Sequence, residues 1–419
     1  MPRNDDLASN LLPAGEWLFL IFVLTVASYA LALQPAAQSL AWYLIYLLAL
    51  GLFVLRYGAF LTGLWIALPL LLWPLLAGLS FVWSDAPGQT LRSTIQLAMT
   101  VLISIYLGAR FSLFDLARAL FLVLAVTALA SLAVIAAQLA FAYDPNGVAR
   151  GIFPHKNVLG GRMVLLLLCC LLLFGLGWHR FAMIVMAGVA IVLVALSQSG
   201  TAIVMAFGLC ALAPALLSRH AAAPLRLMAY TGGLMLAAMA AWVVLALDLD
   251  PMGIALDALG KERTLTGRSV LWDFASVQVE ARPWLGSGFD AFWNGGDGSQ
   301  GRYVQYVLRQ EVKNFHNSYL DITVQLGFVG LALAVACLLA FAARAFALLR
   351  RARGSLATLP AFFVVFVVAY SVSEYAIFRQ HALIQILLGS LYVSAAFALP
   401  SPLPGPSRRQ ASPASRAET

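Results

Sequence analysis

His316 is the side chain in this sequence best suited to act as a general base. It stands in FHNSYLD (315–321), where a charged stretch ends and an apolar helix is predicted to begin. The positive end of a helix dipole disfavours the imidazolium form, and a neutral imidazole can accept a proton. A helix-capping or interfacial histidine is the alternative that these grounds leave open. His155 and His381 fit interfacial packing better.

Two groups of cationic side chains have the chemistry to bind an anionic substrate. The first is Arg150, Lys156 and Arg162, and the second is Arg263, Arg268 and Arg282. Guanidinium groups bind phosphate through two hydrogen bonds at once, so a diphosphate is expected between these two segments. Salt bridges to nearby carboxylates, or contacts with lipid head groups, are the alternative.

A metal site is not expected. Asp248 and Asp250 form an Asp-x-Asp pair, a spacing that can hold a divalent ion, but the match is unspecific and falls on a predicted helix end. The sequence has no HExxH, GxSxG or CxxC arrangement. We therefore expect chemistry that needs neither a metal nor a cofactor.

The composition of the chain indicates that these residues belong to a membrane protein. Of 419 residues, 62% are hydrophobic and 11% are charged, with a mean hydropathy of +0.89. So few charges cannot coat a soluble surface, which excludes a soluble fold. The net charge of +8 is interpreted as a topology signal and an attraction to anionic lipids. Nucleic-acid binding is not expected, because no basic patch is interleaved with aromatic residues.

The fold class predicted is all-α, a polytopic integral membrane protein with about 12 transmembrane helices, because lipid leaves no partner for the amides of irregular backbone. The apolar runs are 17–33, 40–55, 60–83, 94–109, 116–142, 158–176, 181–196, 202–217, 227–247, 318–349, 356–370 and 382–399.

The distribution of Lys and Arg predicts the orientation. If the N-terminus is cytoplasmic, fourteen of these residues fall in inner segments and five in short outer loops. The predicted organisation is a cytoplasmic N-terminus (1–16), nine helices (17–247), a large periplasmic loop (248–316), three helices (317–399) and a disordered cytoplasmic tail (400–419). The loop carries sixteen charged residues in 69, and it contains two amphipathic stretches, 268–282 and 302–313.

Several motifs, in order, resemble the O-antigen ligase and polymerase superfamily. They are RGIFPHKNVLGGR (150–162), SQSGTA (197–202), TGRSVLW (266–272), PWLGSGF (283–289) and HNSYLDITVQLGFVG (316–330). The resemblance covers the C-terminal two thirds of the chain. It implies a multi-helix glycosyltransferase of the bacterial inner membrane, with an active site that faces the periplasm.

The resemblance also implies roles for individual residues. The family's essential histidine corresponds to His316, followed by Asn317, and its loop arginine corresponds to Arg268, preceded by Gly267. Many members have an arginine directly after the SxS motif, where this chain has Gly200. Arg150, Lys156 or Arg162 would then supply the missing charge.

The function implied is inverting, metal-independent transfer of an O-antigen glycan from undecaprenyl diphosphate to a sugar hydroxyl of lipid A-core. The expected partners are therefore this donor, this acceptor and membrane lipids. An O-antigen polymerase is the first alternative, and a protein O-oligosaccharyltransferase, which commonly carries an additional C-terminal region, is the second. A transporter of an anionic lipid is disfavoured because the middles of the predicted spans are nearly free of ionisable residues.

Overall fold

The computed structural model describes residues 5–29, 35–217, 268–296, 299–309, 312–352 and 355–399. Within these residues the chain is an all-α, multi-pass membrane protein whose only β-type pairing is an isolated bridge between Tyr143 and Ala149. The predicted ninth span, the Asp-x-Asp pair, Arg263, Gly267 and the C-terminal tail lie outside the described residues.

Fifteen α-helices are described. The first nine are α1 (Asp5–Ala27), α2 (Pro35–Leu55), α3 (Tyr57–Ile66), α4 (Leu68–Leu79), α5 (Pro87–Arg110), α6 (Leu113–Ala136), α7 (Lys156–Gly175), α8 (Arg180–Ser197) and α9 (Gly200–Leu217). The others are α10 (Arg268–Ala281), α11 (Ala291–Asn294), α12 (Gln300–Leu308), α13 (Ser318–Arg351), α14 (Leu359–Ser371) and α15 (Leu383–Phe397).

Six of the described helices are long and apolar enough to cross a membrane, or seven if the bent pair α3–α4 is one span. Shorter apolar helices cover parts of α1, α9, α14 and α15. Each predicted run except the ninth therefore contains a described apolar helix, while the total number of spans stays a prediction. Large apolar side chains such as Val54, Trp65 and Phe181 are at least 74% exposed, as expected for a surface that contacts lipid.

Two predicted runs are broken helices. The run 60–83 divides into α3 and α4, which meet at 83°, because Pro69 lacks an amide hydrogen and cannot continue the preceding helix. The run 318–349 is interrupted in α13 at Gly327, whose φ is 64°. A straight helix of 34 residues would be about 50 Å long, against about 30 Å of hydrocarbon, so the break shortens the part that must lie in lipid.

The PWLGSGF segment packs against this break in α13. Ser287 N–H donates to the Val324 carbonyl at 3.0 Å, and Phe328 N–H donates to the Pro283 carbonyl at 2.7 Å. A Cβ atom on Gly327 would lie 2.1 Å from the Trp284 carbonyl oxygen, so only glycine fits. The charged loop and the start of α13 are therefore held together by backbone contacts.

A small apolar core lies under the described part of the charged loop. Leu271 of α10, Phe292 and Trp293 of α11, Val304 of α12 and Phe315 pack together and are at least 94% buried. In α10, Leu271 and Ala275 are buried, while Val270 and Val277 are exposed. Phe315 of this core directly precedes His316.

Candidate active site

The backbone before His316 is held from both sides. The Phe315 carbonyl accepts a hydrogen bond from the Trp272 indole at 3.0 Å, and the Phe315 N–H donates to the Asp321 carboxylate at 3.0 Å. The other Asp321 oxygen accepts from the Trp293 indole at 3.1 Å. These contacts fix His316 in a left-handed conformation, with φ 51°, which a non-glycine residue adopts only when its surroundings hold it there.

The His316 imidazole faces Glu374, which lies between α14 and α15. Nδ1 of His316 is 3.5 Å from the Glu374 carboxylate, and 30% of the histidine side chain is exposed. Nδ1 is buried and makes no hydrogen bond of normal length in the described part of the chain. His316 does not cap α13, because that role belongs to Asn317, whose side chain accepts from the Tyr319 and Leu320 amides at 3.0 and 3.2 Å.

The start of α7 lies against the same carboxylate. Asn157 donates its side-chain amide to Glu374 at 2.7 Å, and His155 interacts electrostatically with both Glu374 and His316. His155 is the N-cap of α7 and accepts the Asn157 N–H at Nδ1. Partial desolvation lowers the pKa of His155. Two motifs about 160 residues apart in sequence thus meet at Glu374.

Lys156 and Arg150 lie in this region, and both have partners within the protein. Lys156 Nζ is 3.7 Å from the Asp144 carboxylate. Arg150 donates to the carbonyls of Phe141 and Pro154 at 3.1 and 3.2 Å and so stabilises the loop before α7. Neither side chain is fully buried, and both keep surface on the side of the protein that holds His316.

Arg162 is different, because it is a buried cation with few partners among the described residues. It is 6% exposed, its one described hydrogen bond goes to the Ser28 carbonyl at 3.3 Å, and the described residues place no carboxylate within 4 Å of it. Its electrostatic neighbours are the phenols of Tyr29 and Tyr370. Burying a charge without a counter-charge is costly.

Arg379, between α14 and α15, resembles Arg162. Its single described hydrogen bond is to the Tyr375 carbonyl at 3.4 Å, and its guanidinium lies 5.2 Å from the Tyr375 ring centre. Its side chain is partly exposed. Burial alone would lower the pKa of Arg379, but nearby Tyr29, Tyr375 and acidic residues outweigh burial and raise it.

The structure describes less of the two other site residues predicted from the sequence, Arg268 and Gly267. Arg268 begins α10, one turn before Trp272. Position 267 lies outside the described residues.

At Gly200, where many relatives have an arginine, an added Cβ would meet nothing within 4 Å, so crowding does not exclude an arginine at this position. Gly160 contacts Ser197 and Ser199, and Lys156, one turn earlier on α7, lies on the same helix face.

Sequence reasoning missed Glu374 and Arg379. Both fall in the short connection SEYAIFRQHA (373–382) between two apolar runs, 58 or more residues after His316. The sequence pattern that could have revealed them is the occurrence of three ionisable side chains within ten residues. These are the carboxylate of Glu374, the guanidinium of Arg379 and the imidazole of His381. His381 itself stacks on Trp42 at 4.2 Å and hydrogen-bonds the Tyr46 hydroxyl, which confirms interfacial packing for this histidine.

Comparison with known proteins supports the resemblance seen in the sequence motifs. A family model described as O-antigen ligase matches residues 181–335. The chain is 28% identical over 345 residues to the exopolysaccharide production protein ExoQ of Rhizobium meliloti (strain 1021), covering 73% of this chain and 76% of that protein. Both similarities support a relationship to the O-antigen ligase and polymerase superfamily.

A second relative in this comparison is from Rickettsia prowazekii (strain Madrid E) and is named provisionally as a polysaccharide ligase. It is 32% identical over 92 residues, which are 22% of this chain and 23% of that protein. The superfamily match includes α10, α12 and the start of α13, and hence Arg268 and His316. It ends before the connection that holds Glu374 and Arg379.

Proposed function

We propose that this chain is an inverting, metal-independent glycosyltransferase that moves an O-antigen glycan en bloc from undecaprenyl diphosphate to a sugar hydroxyl of lipid A-core. The observation that carries the proposal is the meeting of His316 with the start of α7. Nδ1 of His316 lies 3.5 Å from a carboxylate that also accepts a hydrogen bond from Asn157. A base is thereby placed next to the segment that bears Arg150, Lys156 and Arg162.

The reaction needs one proton transfer and one displacement. His316 takes the proton of the acceptor hydroxyl while the oxygen forms a bond to the anomeric carbon of the donor sugar. The bond from that carbon to the diphosphate breaks, and the diphosphate leaves with the electron pair. A single in-line displacement inverts the anomeric centre, and cationic side chains stabilise the charge that develops on the leaving group.

Arg162 and Arg379 are the strongest candidates to bind the diphosphate. Arg162 is buried and Arg379 is partly exposed, each makes one long described hydrogen bond to a backbone carbonyl, and both interact electrostatically with Tyr29. An anion between them would supply a counter-charge at ion-pair distance, which the described residues do not provide. Lys156, Arg150 and Arg268 are proposed to complete the cationic surroundings, and Lys156 is the residue best placed to replace the arginine absent at Gly200.

The proposed location is the bacterial inner membrane, with the His316 site facing the periplasm. Gln300, at the exposed start of α12, is a suitable reporter. In a chain whose four native cysteines are replaced, Gln300→Cys should react with an impermeant thiol reagent from the periplasmic side. Reaction from the cytoplasmic side alone would contradict this orientation.

A chain polymerase is the second candidate, because the relative that covers three quarters of this chain is named for exopolysaccharide production. The two functions differ in the acceptor. Purified protein in lipid nanodiscs should be supplied with the lipid-linked glycan donor, with and without lipid A-core. Product on lipid A-core supports the ligase, whereas elongation of the lipid-linked glycan in its absence supports the polymerase.

The same assay tests the proposed independence from metal. A chelator should leave transfer unchanged, since guanidinium groups stabilise the leaving diphosphate. Loss of transfer on chelation, with recovery on addition of a divalent ion, would contradict this part of the proposal and would direct attention to Asp248 and Asp250.

A further inference from the structure

A cavity of about 340 Å³ lies where the end of α5, the start of α6 and the end of α15 meet. Arg110 and Ser112 line it from the α5–α6 connection, and Ser394 and Phe397 line it from α15. The cavity opens at the surface, since Ser112 is exposed and Phe397 keeps 51% of its area exposed. It therefore gives an outside molecule access to a guanidinium group.

The Arg110 guanidinium has donor capacity that the described residues do not use. Its Nε and Nη2 donate to the two oxygens of the Glu16 carboxylate at 2.8 and 3.0 Å, and the described part of the chain offers Nη1 no acceptor. Arg56 binds the same carboxylate through its own Nε and Nη2. Two arginines thus share one carboxylate, which leaves a positive charge, and their side chains are 30% and 28% exposed.

The neighbouring charges preserve this positive excess. Arg118 lies 5.1 Å from the centre of the Trp17 ring, and none of the described carboxylates is within 4 Å of it. The Trp17 ring makes an edge contact with Phe111, which lines the cavity. Asp115 acts in the opposite sense, but it accepts from the N–H and the hydroxyl of Ser112 and so caps α6. Three arginines stand against two carboxylates, which favours an anion.

We propose that this cavity binds the head group of an anionic phospholipid, with Nη1 of Arg110 donating to a phosphate oxygen and Arg118 supplying a second positive charge. The exposed side of Phe397 then contacts the apolar part of the lipid. Basic pockets between transmembrane helices on the cytoplasmic side of a membrane bind lipid head groups in this way. The charge distribution of the sequence predicts that this end of the helices faces the cytoplasm.

The surroundings of the cavity favour a lipid over the other molecules that could occupy it. Leu18, Val54 and Leu55, which adjoin the arginine cluster in sequence or structure, are at least 63% exposed, as expected for side chains that contact acyl chains. The C-terminal tail, residues 400–419, carries three arginines and one glutamate. A cationic segment does not complement a cationic cavity, so the tail is disfavoured as the occupant.

The test is native mass spectrometry of the purified full chain in detergent, and its readout requires no glycan transfer. Dioleoyl phosphatidylglycerol should bind at one saturable site about tenfold more tightly than dioleoyl phosphatidylcholine, whose head group is zwitterionic. Equal affinities for the two lipids would overturn the proposal. Displacement of phosphatidylglycerol by inorganic phosphate at the same concentration would assign the cavity to a free anion and would also overturn it.

Variants then locate the binding site. Arg110→Gln should weaken phosphatidylglycerol binding about tenfold through loss of a charge-assisted contact, whereas Arg350→Gln, at an exposed arginine, should bind like the wild type. Arg110→Gln also removes a partner of Glu16, so Ala398→Trp provides a test that keeps this cluster intact. Ala398 is exposed and lines the cavity, and an indole there should weaken binding by reducing the space for the head group.

Unchanged phosphatidylglycerol binding by Ala398→Trp would contradict the proposal, even if Arg110→Gln fails to fold. A chain that ends at Leu399 should bind the lipid like the full chain. Tighter binding by this shorter chain would show that the tail occupies the cavity, which would overturn its assignment to a lipid.

Discussion

Two charged clusters lie near opposite ends of the apolar part of α1. Their arginines differ in the hydrogen-bond acceptors that surround them. Near its start, the buried Glu16 carboxylate accepts five hydrogen bonds, two from Arg56, two from Arg110 and one from the Tyr106 hydroxyl. Near its end, Arg162 and Arg379 have one long hydrogen bond each and no carboxylate within ion-pair distance among the described residues. The first cluster has a carboxylate that accepts hydrogen bonds from its arginines, whereas the described acceptors of the second are two backbone carbonyls.

We propose that the first cluster stabilises the fold and that the second is available to a substrate. Both clusters contain two arginines, so the presence of arginine alone does not distinguish them. Among the described residues they differ in whether a carboxylate accepts the arginine hydrogen bonds, and a buried cation without a counter-charge is costly. Variants of the two clusters should therefore affect different measurements.

The largest expected effect is on transfer, from His316→Ala. General-base catalysis typically contributes about 10²–10⁴-fold, so the rate of glycan transfer to lipid A-core should fall by that factor. Thermal unfolding in detergent should stay within error of the wild type, because Asn317 and not His316 caps α13. His179→Ala, at an exposed histidine, is the control. Retention of more than about a tenth of the rate would exclude a general-base role.

The next effect is on stability, from Glu16→Ala. The substitution leaves Arg56, Arg110 and Tyr106 without their acceptor. We expect a loss of about 2–3 kcal/mol, below the value for a fully buried pair, because the arginine side chains are 30% and 28% exposed. Glu280→Ala should be neutral. Equal thermal unfolding midpoints for the two variants would show that the Glu16 cluster does not stabilise the fold.

The third effect is on donor binding, from Arg379→Gln. Loss of one charge-assisted contact should weaken binding of undecaprenyl diphosphate by about tenfold, as measured by native mass spectrometry. Undecaprenyl monophosphate should be less affected. Arg350→Gln, at an exposed arginine near the end of α13, is the control. If both variants bind the diphosphate lipid like the wild type, Arg379 is not a donor contact.

Most of the fold was predictable from the sequence because lipid permits few solutions. Apolar runs of sufficient length must be helices there, and each described run confirms this. The breaks at Pro69 and Gly327 were not predicted as breaks. Proline within a long apolar run is compatible with a kinked helix, and the need for glycine at 327 comes from Trp284, which is 43 residues away in sequence.

The site was predictable only in the parts that follow one another in sequence. His316 and the segment 150–162 each carry a local pattern, whereas their contact through Glu374 depends on how α7, α13 and α14 pack. A lone glutamate in a short connection between spans has no spacing that reveals its partner. The sequence also could not predict that Arg150 and Arg162 have different environments, because the burial of each side chain depends on neighbours from other helices.

The smallest expected effect is a dependence of stability on pH. Burial lowers the pKa of His381 to about 3, so the unfolded chain binds a proton that the folded chain excludes as pH falls below about 6.5. Stability should therefore decrease on acidification, by about 1 kcal/mol at pH 5.5.

His381→Gln, which cannot titrate, should lose part of this decrease, and the exposed His179→Gln should retain it. The measurement is the thermal unfolding midpoint at pH 7.5 and pH 5.5. If the unfolding midpoint of His381→Gln falls on acidification by as much as that of the wild type, other groups cause the fall.

The position of Glu374 in the chain has a consequence for biosynthesis. The site combines residues from 155–162, 316–321 and 374–379, and the last of these emerges from the ribosome after nearly nine tenths of the chain has been made. A nascent protein therefore holds its histidine without the carboxylate that faces it until the final helix pair is being inserted. Chains that end before α14 are expected to insert into the membrane as inert intermediates, which would keep incompletely assembled protein from consuming lipid-linked sugars.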